Sequence, residues 1–248
     1  MDLSSFFQQY PKAALAFSGG TDSAYLLYCA KKYGAQVQAY YVKSVFQPQF
    51  ELEDAMHLAR ELEIPLRVLA VDVLASQTVA ANPPDRCYHC KRIIFETISR
   101  AAEEDGFGLV LDGTNASDDA SDRPGMRALW ELQVRSPLRE CGLKKDEIRR
   151  LSQEAGLFTW NKPAYACLAT RIPTGEALTQ DKLRKTERAE DALASMGFTD
   201  FRVRWAAGAA KLQLRAEQMP MALARRAEIL AALREDYSAV LLDLEARA

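Results

Sequence analysis

Phe17-Ser18-Gly19-Gly20-Thr21-Asp22-Ser23 stands between two segments of different periodicity, and its reading decides the fold. Lys12 to Phe17 is a short, largely apolar run of strand length, whereas Thr21 to Lys32 carries Ala24, Leu27, Tyr28 and Lys31 at helical spacing. Glycines let backbone N–H groups approach an anion closely, and the helix that follows offers unpaired amides and a partial positive charge to phosphate oxygens. The hydroxyls of Ser18, Thr21 and Ser23 add donors, and Asp22 is suited to hold Mg2+ or to order the loop. An ordinary strand-to-helix turn with a Ser or Thr cap is the plainer reading. Two glycines flanked by hydroxyls at such a junction favour a pyrophosphate cradle lined by Ser18 through Ser23.

Working outward, Val37–Val42 reads as a strand, Glu53–Glu63 as a helix, Leu66–Val71 as a strand, Ile93–Asp105 as a helix and Leu109–Leu111 as a strand. The alternation predicts an α/β fold with a doubly wound parallel sheet. Ligands of such sheets bind outside the carboxyl ends of the strands, so Asp112-Gly113-Thr114-Asn115 is expected on the same rim as the loop. Short helices are expected at Pro124–Leu132 and at Lys144–Ala155, the latter ended by Gly156. The pattern changes near Asn161–Pro163. Beyond it come a helix at Gln180–Met196, strands at Phe201–Trp205 and Lys211–Arg215, a helix at Pro220–Leu233 and a strand at Ala239–Leu244, which together make a small α+β domain. The division predicted is residues 1–162 and 163–248.

The chain of 248 residues with 48% hydrophobic content is long enough to build a core. A formal net charge of -2 argues against bulk nucleic-acid binding, and Lys144–Lys145 and Lys182–Arg188 read as solvated helix faces. No apolar run reaches membrane-spanning length, and the N-terminus lacks the pattern of a signal peptide, so no membrane partner and a cytoplasmic location are expected. A homo-oligomer is also expected. Five cysteines in a reducing compartment point to thiols or metal ligation rather than disulfides.

Cys87 and Cys90 form the pair in Arg86-Cys87-Tyr88-His89-Cys90-Lys91, spaced so that two sulfurs face one metal or one another. A zinc ribbon would need a second pair, and the chain has none. Cys167, in Ala164-Tyr165-Ala166-Cys167-Leu168-Ala169-Thr170-Arg171, is the third candidate. Spacing leaves two readings open: three unrelated thiols, or three ligands of an iron–sulfur cluster with one iron left for an exogenous ligand. Cys29 and Cys141 read as structural, and Trp130, Trp160 and Trp205 as packing residues. Asp118, Asp119 and Asp122 read as a solvated polar loop.

The run Ser18–Ser23 resembles the SGGxDS signature of the PP-loop ATP pyrophosphatases, which cleave ATP between the α- and β-phosphates; it lacks the Lys of a GxxxxGK[ST] loop. RCYHCK, DGTN, RPGMRALWELQVRSPL, GLKKDEIRRL, KPAYACLATRIPTGEALTQDKLRKTERAEDAL and FRVR together resemble the LarE family of sulfur insertases, over about Ala14 to Arg204. The resemblance implies a PP-loop sheet of the adenine nucleotide α-hydrolase type (HUP), ATP and Mg2+ as cofactors, and ATP contacts from Ser18, Gly19, Gly20, Thr21, Asp22, Ser23, Gly113 and Asn115. It implies that residues 1–162 activate a substrate carboxylate as its adenylate and that 163–248 handle sulfur and substrate. The substrate implied is pyridinium-3,5-biscarboxylic acid mononucleotide, thiolated during nickel-pincer cofactor synthesis. Cys167 is implied as the sulfur-handling residue, either sacrificed to dehydroalanine or joined by Cys87 and Cys90 on a [4Fe-4S] cluster. Thr170, Arg171, Glu190, Arg202 and Arg204 are implied as substrate contacts, and alternation along FRVR puts its two arginines on one strand face. Solvated arginines on an edge strand are the plainer reading of that pair.

Where the family continues with a His-Gly pair, this chain has Trp205-Ala206-Ala207-Gly208, and Thr170 replaces the usual Ser. These departures bear on the acceptor. A tRNA thiolase with a three-cysteine cluster would use the same two half-reactions but would demand a broad basic surface. An amide-forming synthetase would share the loop and leave the cysteines unexplained, and a regulatory nucleotide-binding module would have no need of Cys167.

Overall fold

The computed structural model describes residues 2–118 and 124–247. In chain order its elements are α1 (Leu3–Gln9), β1 (Lys12–Ala16), α2 (Thr21–Lys32), β2 (Gln36–Lys43), α3 (Gln49–Glu61), β3 (Leu66–Ala70), α4 (Gln77–Ala80), α5 (Arg86–Glu104) and β4 (Val110–Leu111). There follow α6 (Pro124–Glu131), α7 (Pro137–Glu140), α8 (Lys145–Glu154), α9 (Gln180–Ser195), β5 (Arg202–Ala206), β6 (Ala209–Gln213), α10 (Met219–Ala224), α11 (Arg226–Leu233) and β7 (Val240–Leu242). The chain divides into two compact units, one of residues 1–73 and 85–165, the other of 74–84 and 166–248.

In the first unit four parallel strands run in the order β3-β2-β1-β4. The winding proceeds from β1 through β2 to β3 and then returns to the far side of β1, so the connections diverge between β1 and β4. Both faces are covered, as an all-parallel sheet requires. Alternate residues Ala13, Leu15, Val37, Ala39 and Tyr41 pack with α1, α2, α3 and α8, while Ala14, Tyr40 and Val42 pack against Ile98, Ala101 and Ala102 of α5. Two turns of helix before β1, not anticipated, contribute Leu3, Phe6 and Phe7 to that first face. Asp2 caps this helix by accepting from the Ser5 amide at 2.8 Å.

In the second unit a three-stranded sheet, β5-β6-β7, packs on α9, α10 and α11 through Leu193, Val203, Leu212, Ala222, Ile229 and Leu233. The helix expected over Pro220–Leu233 is two helices broken at Arg225, and α5 begins at Arg86 rather than Ile93, which brings the Cys87–Cys90 pair into its first turn. Trp130 is 85% exposed and does not pack; Trp205 is half-buried against Tyr237, with ring centroids 5.5 Å apart. No helix among the described residues is long and apolar enough to cross a membrane.

Phe6 is fully buried and packs edge-on against Phe7, so Phe6→Ala is expected to destabilise the first unit by about 3 to 5 kcal/mol in chemical denaturation.

Candidate functional site

Where the connections diverge between β1 and β4, the loops that follow the two strands meet. Gly113, just after β4, lies so close to the loop after β1 that a Cβ on it would sit 2.9 Å from the Ser23 nitrogen. Gly19, at φ +72°, lies equally tightly against α3: a Cβ there would meet the Ala55 Cβ at 3.1 Å and the Glu51 carbonyl at 3.2 Å. Gly113 is held to glycine by the approach of backbone and Gly19 by its left-handed φ as well as close packing, and together they draw backbone rather than side chains around the start of α2.

Within the loop the hydroxyls are more committed than the sequence indicates. Ser23 Oγ donates to the Gly20 carbonyl (3.1 Å) and lies 3.1 Å from Ser18 Oγ, and the Ser18 amide reaches Ser23 Oγ at 3.3 Å. Thr21 is buried and its hydroxyl donates to the Thr159 carbonyl at 2.8 Å, anchoring the start of the helix. Gly20 is the N-cap of α2 and no side chain caps the first turn, leaving its amides and the helix dipole to an anion.

Asp22 pairs through Oδ2 with Lys145 at 2.7 Å, while its Oδ1 is buried with no hydrogen-bond partner among the described residues. A carboxylate oxygen in that condition suits a hard cation such as Mg2+. Lys162, ion-paired with Asp54 (2.7 Å), also reaches the Gly19 carbonyl at 3.4 Å. Neither lysine was anticipated here, although Lys145, read from sequence as part of a solvated helix face, lies within the GLKKDEIRRL run and Lys162 opens the KPAYACLATR run.

The strand-end segment 112–115 is internally bonded. Asp112 accepts from Ser136 Oγ at 2.6 Å and from the Thr114 hydroxyl, and burial raises its carboxyl above the usual Asp range. Asn115 Oδ1 accepts from the Ser117 amide (2.8 Å), and its own amide donates to Asp118 (3.1 Å). Asp119 and Asp122 lie outside the described residues.

Cys87 and Cys90 stand three residues apart on one face of the first turn of α5, Cys87 exposed and Cys90 buried. Arg86 donates to the Cys87 sulfur at 3.5 Å. A pair of sulfurs so placed fits two ligand positions of an iron–sulfur group. Among the described residues no three His, Cys, Asp or Glu side chains are arranged to hold a metal ion.

In the second unit, Cys167 begins a single 3-10 turn, Leu168–Arg171. The Thr170 amide and hydroxyl donate to the Cys167 carbonyl at 2.9 and 2.8 Å. Arg171, 1% exposed, donates to the Ala166 carbonyl (2.9 Å) and to Thr170 Oγ1 (2.9 Å), and forms a bidentate pair with Glu190 of α9 at 2.7 and 3.0 Å. Glu190 also accepts from the Val203 amide of β5 at 2.9 Å. Thr170 and Arg171 thus shape the turn around Cys167.

The FRVR arginines are not solvated: Arg202 is buried and Arg204 half-buried, with Arg204 bonded to the Thr170 carbonyl and to Gln213 (2.8 Å). Arg202 donates to the Phe201 carbonyl at 2.6 Å and stands 3.8 Å from Asp200. Arg247, which sequence reasoning missed, pairs with the same Asp200 at 3.0 Å. Burial first, and then repulsion from Arg171 and Arg247, push the pKa of Arg202 and Arg204 below the ordinary arginine value. Arg202 and Arg204 both lie within electrostatic reach of Arg171, Arg247 and Glu190, and Asp200 stands beside Arg202 and Arg247.

A family model described as queuosine biosynthesis protein QueC matches residues 12–83. An uncharacterized protein of Synechocystis sp. is 37% identical over 88% of this chain and 82% of its own length. The pyridinium-3,5-bisthiocarboxylic acid mononucleotide synthase of Lactiplantibacillus plantarum is 34% identical over 82% of this chain and 74% of its own. A tRNA-specific 2-thiouridylase of Clostridium botulinum is 29% identical over 60% of this chain and 51% of its own.

Gly113→Ala must push Ser23 backbone aside, and pyrophosphate or ATP affinity measured by calorimetry is expected to fall on the order of tenfold or more. The cysteines give a pH test. Burial pushes the Cys29 thiol up to about 11, so at pH 8 only about one molecule in a thousand carries the thiolate there. Iodoacetamide at pH 8 should label exposed Cys87 and spare Cys29, with Cys29 labelling appearing only as the pH approaches 11.

Proposed function

Because the chain belongs to the pyridinium-3,5-bisthiocarboxylic acid mononucleotide synthase (LarE) family of PP-loop enzymes, we propose that it catalyses ATP-dependent sulfur insertion into a carboxylate of a pyridinium biscarboxylic acid mononucleotide. The observation that carries the reading is the turn Ala166–Arg171. It holds a partly exposed thiol at one end, and at the other it is bonded to Arg204, whose guanidinium stands near those of Arg171 and Arg247, a grouping suited to a phosphate monoester.

In the activation step, the substrate carboxylate oxygen attacks the α-phosphorus of ATP and pyrophosphate leaves. The first-turn amides of α2 receive phosphate oxygens, and Asp22 Oδ1 takes Mg2+. The carboxylate is already ionised at neutral pH, so no general base is demanded, in keeping with a chain of two histidines. In the second step a sulfur nucleophile adds to the acyl carbon and AMP departs. If the nucleophile is the Cys167 thiolate, loss of its Cα proton and cleavage of its Cβ–S bond release the thiocarboxylate and leave dehydroalanine. A [4Fe-4S] cluster held by Cys87, Cys90 and Cys167 would instead supply an iron for exogenous hydrosulfide. In both versions Arg202 and Arg204 hold the substrate phosphate and the Arg171–Glu190 pair orients the turn. Transfer RNA is the second reading of the acceptor, favoured by the likeness to a 2-thiouridylase.

Cys167→Ala is expected to abolish thiolated product while ATP–pyrophosphate exchange stimulated by the biscarboxylic mononucleotide persists. Unchanged product would overturn the sulfur-transfer reading, and exchange stimulated by tRNA instead would move the acceptor to RNA. Iron and sulfide quantification after anaerobic purification, with mass spectrometry of the Cys167 peptide after turnover, separates a cluster from loss of the elements of hydrogen sulfide.

A further inference from the structure

We propose that Asn82 is a positioning residue for Cys167, an inference that rests on the reading of Cys167 as the sulfur-handling residue. Asn82 is fully buried and sits at φ +56°, a region that Asn enters more readily than other side-chain-bearing residues. It belongs to the short segment 74–84, which folds with the second unit although it lies far from it in sequence. Its carboxamide Nδ2 donates to the carbonyls of Pro173 (2.8 Å) and Glu176 (3.2 Å), with a longer approach to Ile172 (3.5 Å). Its own carbonyl accepts from the Gly175 amide at 2.8 Å, and the neighbouring Ala80 carbonyl accepts from Leu178 at 2.7 Å. One side chain therefore satisfies carbonyls across a single loop, and that loop starts directly after Arg171.

The position of this clamp gives it a role beyond packing. On the N-terminal side of the turn, Arg171 holds the Ala166 carbonyl; on the C-terminal side, Asn82 holds Ile172 to Glu176. Cys167 lies between the two anchors, in a turn that Arg204 and Glu190 also hold, so releasing the Asn82 anchor loosens its C-terminal side and lets the thiol-bearing backbone shift. A displacement of about 1 Å of a reacting group is enough to cost on the order of a hundredfold in rate. The left-handed backbone at Asn82 and at Gly175 (φ +83°) is what turns the two segments toward each other.

Asn82→Gly isolates the carboxamide, since glycine keeps the left-handed backbone and the carbonyl that accepts from Gly175. The holoprotein variant is expected to retain ATP–pyrophosphate exchange, to lose product turnover on the order of tenfold or more, and to show a several-fold change in the alkylation rate of Cys167 by iodoacetamide. Cys87, in the other unit, is the internal reference and should react at its wild-type rate. The alkylation readout does not depend on the identity of the acceptor, so it separates failure of this inference from failure of the sulfur-transfer reading. Gly175→Ala strains the other end of the clamp, with nothing within 4 Å of the added methyl, and serves if the first variant fails to fold. Wild-type alkylation of Cys167 in a folded variant at either position overturns the proposal, even if the melting temperature falls.

Discussion

The second unit depends on the buried pair between Arg171 and Glu190. Their side chains are 0% and 7% exposed, so neither charge has water to fall back on, and removal of either partner leaves the other stranded in an apolar setting at a cost of about 3 to 5 kcal/mol. Such pairs are weak contributors to net stability when compared with well-packed apolar residues, and what they give is geometry. Here one carboxylate joins three elements: it takes both arms of a guanidinium from the Cys167 turn, it stands on α9, and it accepts an amide from β5. The strand that carries Arg202 and Arg204 and the turn that carries the thiol are thereby referred to one fixed point.

The first unit solves a different problem with less chemistry. A parallel sheet that winds both ways leaves a crevice where the winding reverses, and the chain fills it with backbone by placing glycine where two loops collide. Cationic side chains near the loop are occupied with carboxylates, Lys145 with Asp22 and Lys162 with Asp54. Anion recognition there falls to amides and a helix dipole, which need no proton and no rotamer to be in place. The arginine cluster of the other unit is the reverse case, built from long side chains.

The loop, α2 and the strand pattern were legible because two glycines and a change of period are local signals. The parallel sheet followed from alternation alone. What escaped was long-range or quiet. Leu3–Gln9 holds only one turn's worth of apolar residues and reads as a tail until Phe6 and Phe7 are seen under the sheet. Cys-x-x-Cys spacing suits a metal knuckle and a helix face equally, so the early start of α5 at Arg86 was not apparent. Nothing within nineteen residues of sequence announces that the buried Arg171 pairs with Glu190. Asn82 before two prolines looks like an ordinary turn residue, and Arg247 like a solvated end.

The segment 74–84 also bears on how such a protein can be divided or inherited. The backbone enters the second unit, leaves it and enters it again, so that unit is not an appendage that a stop codon after 165 would remove cleanly. A chain cut there would keep Val79 and Asn82, both wholly buried, with the groups that bury them deleted. Genetic transplantation of the second unit onto another PP-loop enzyme therefore requires two grafts at once, an internal one and a terminal one. Residues 79–82 and 172–178 are expected to have drifted together over evolution, as the two halves of one joint.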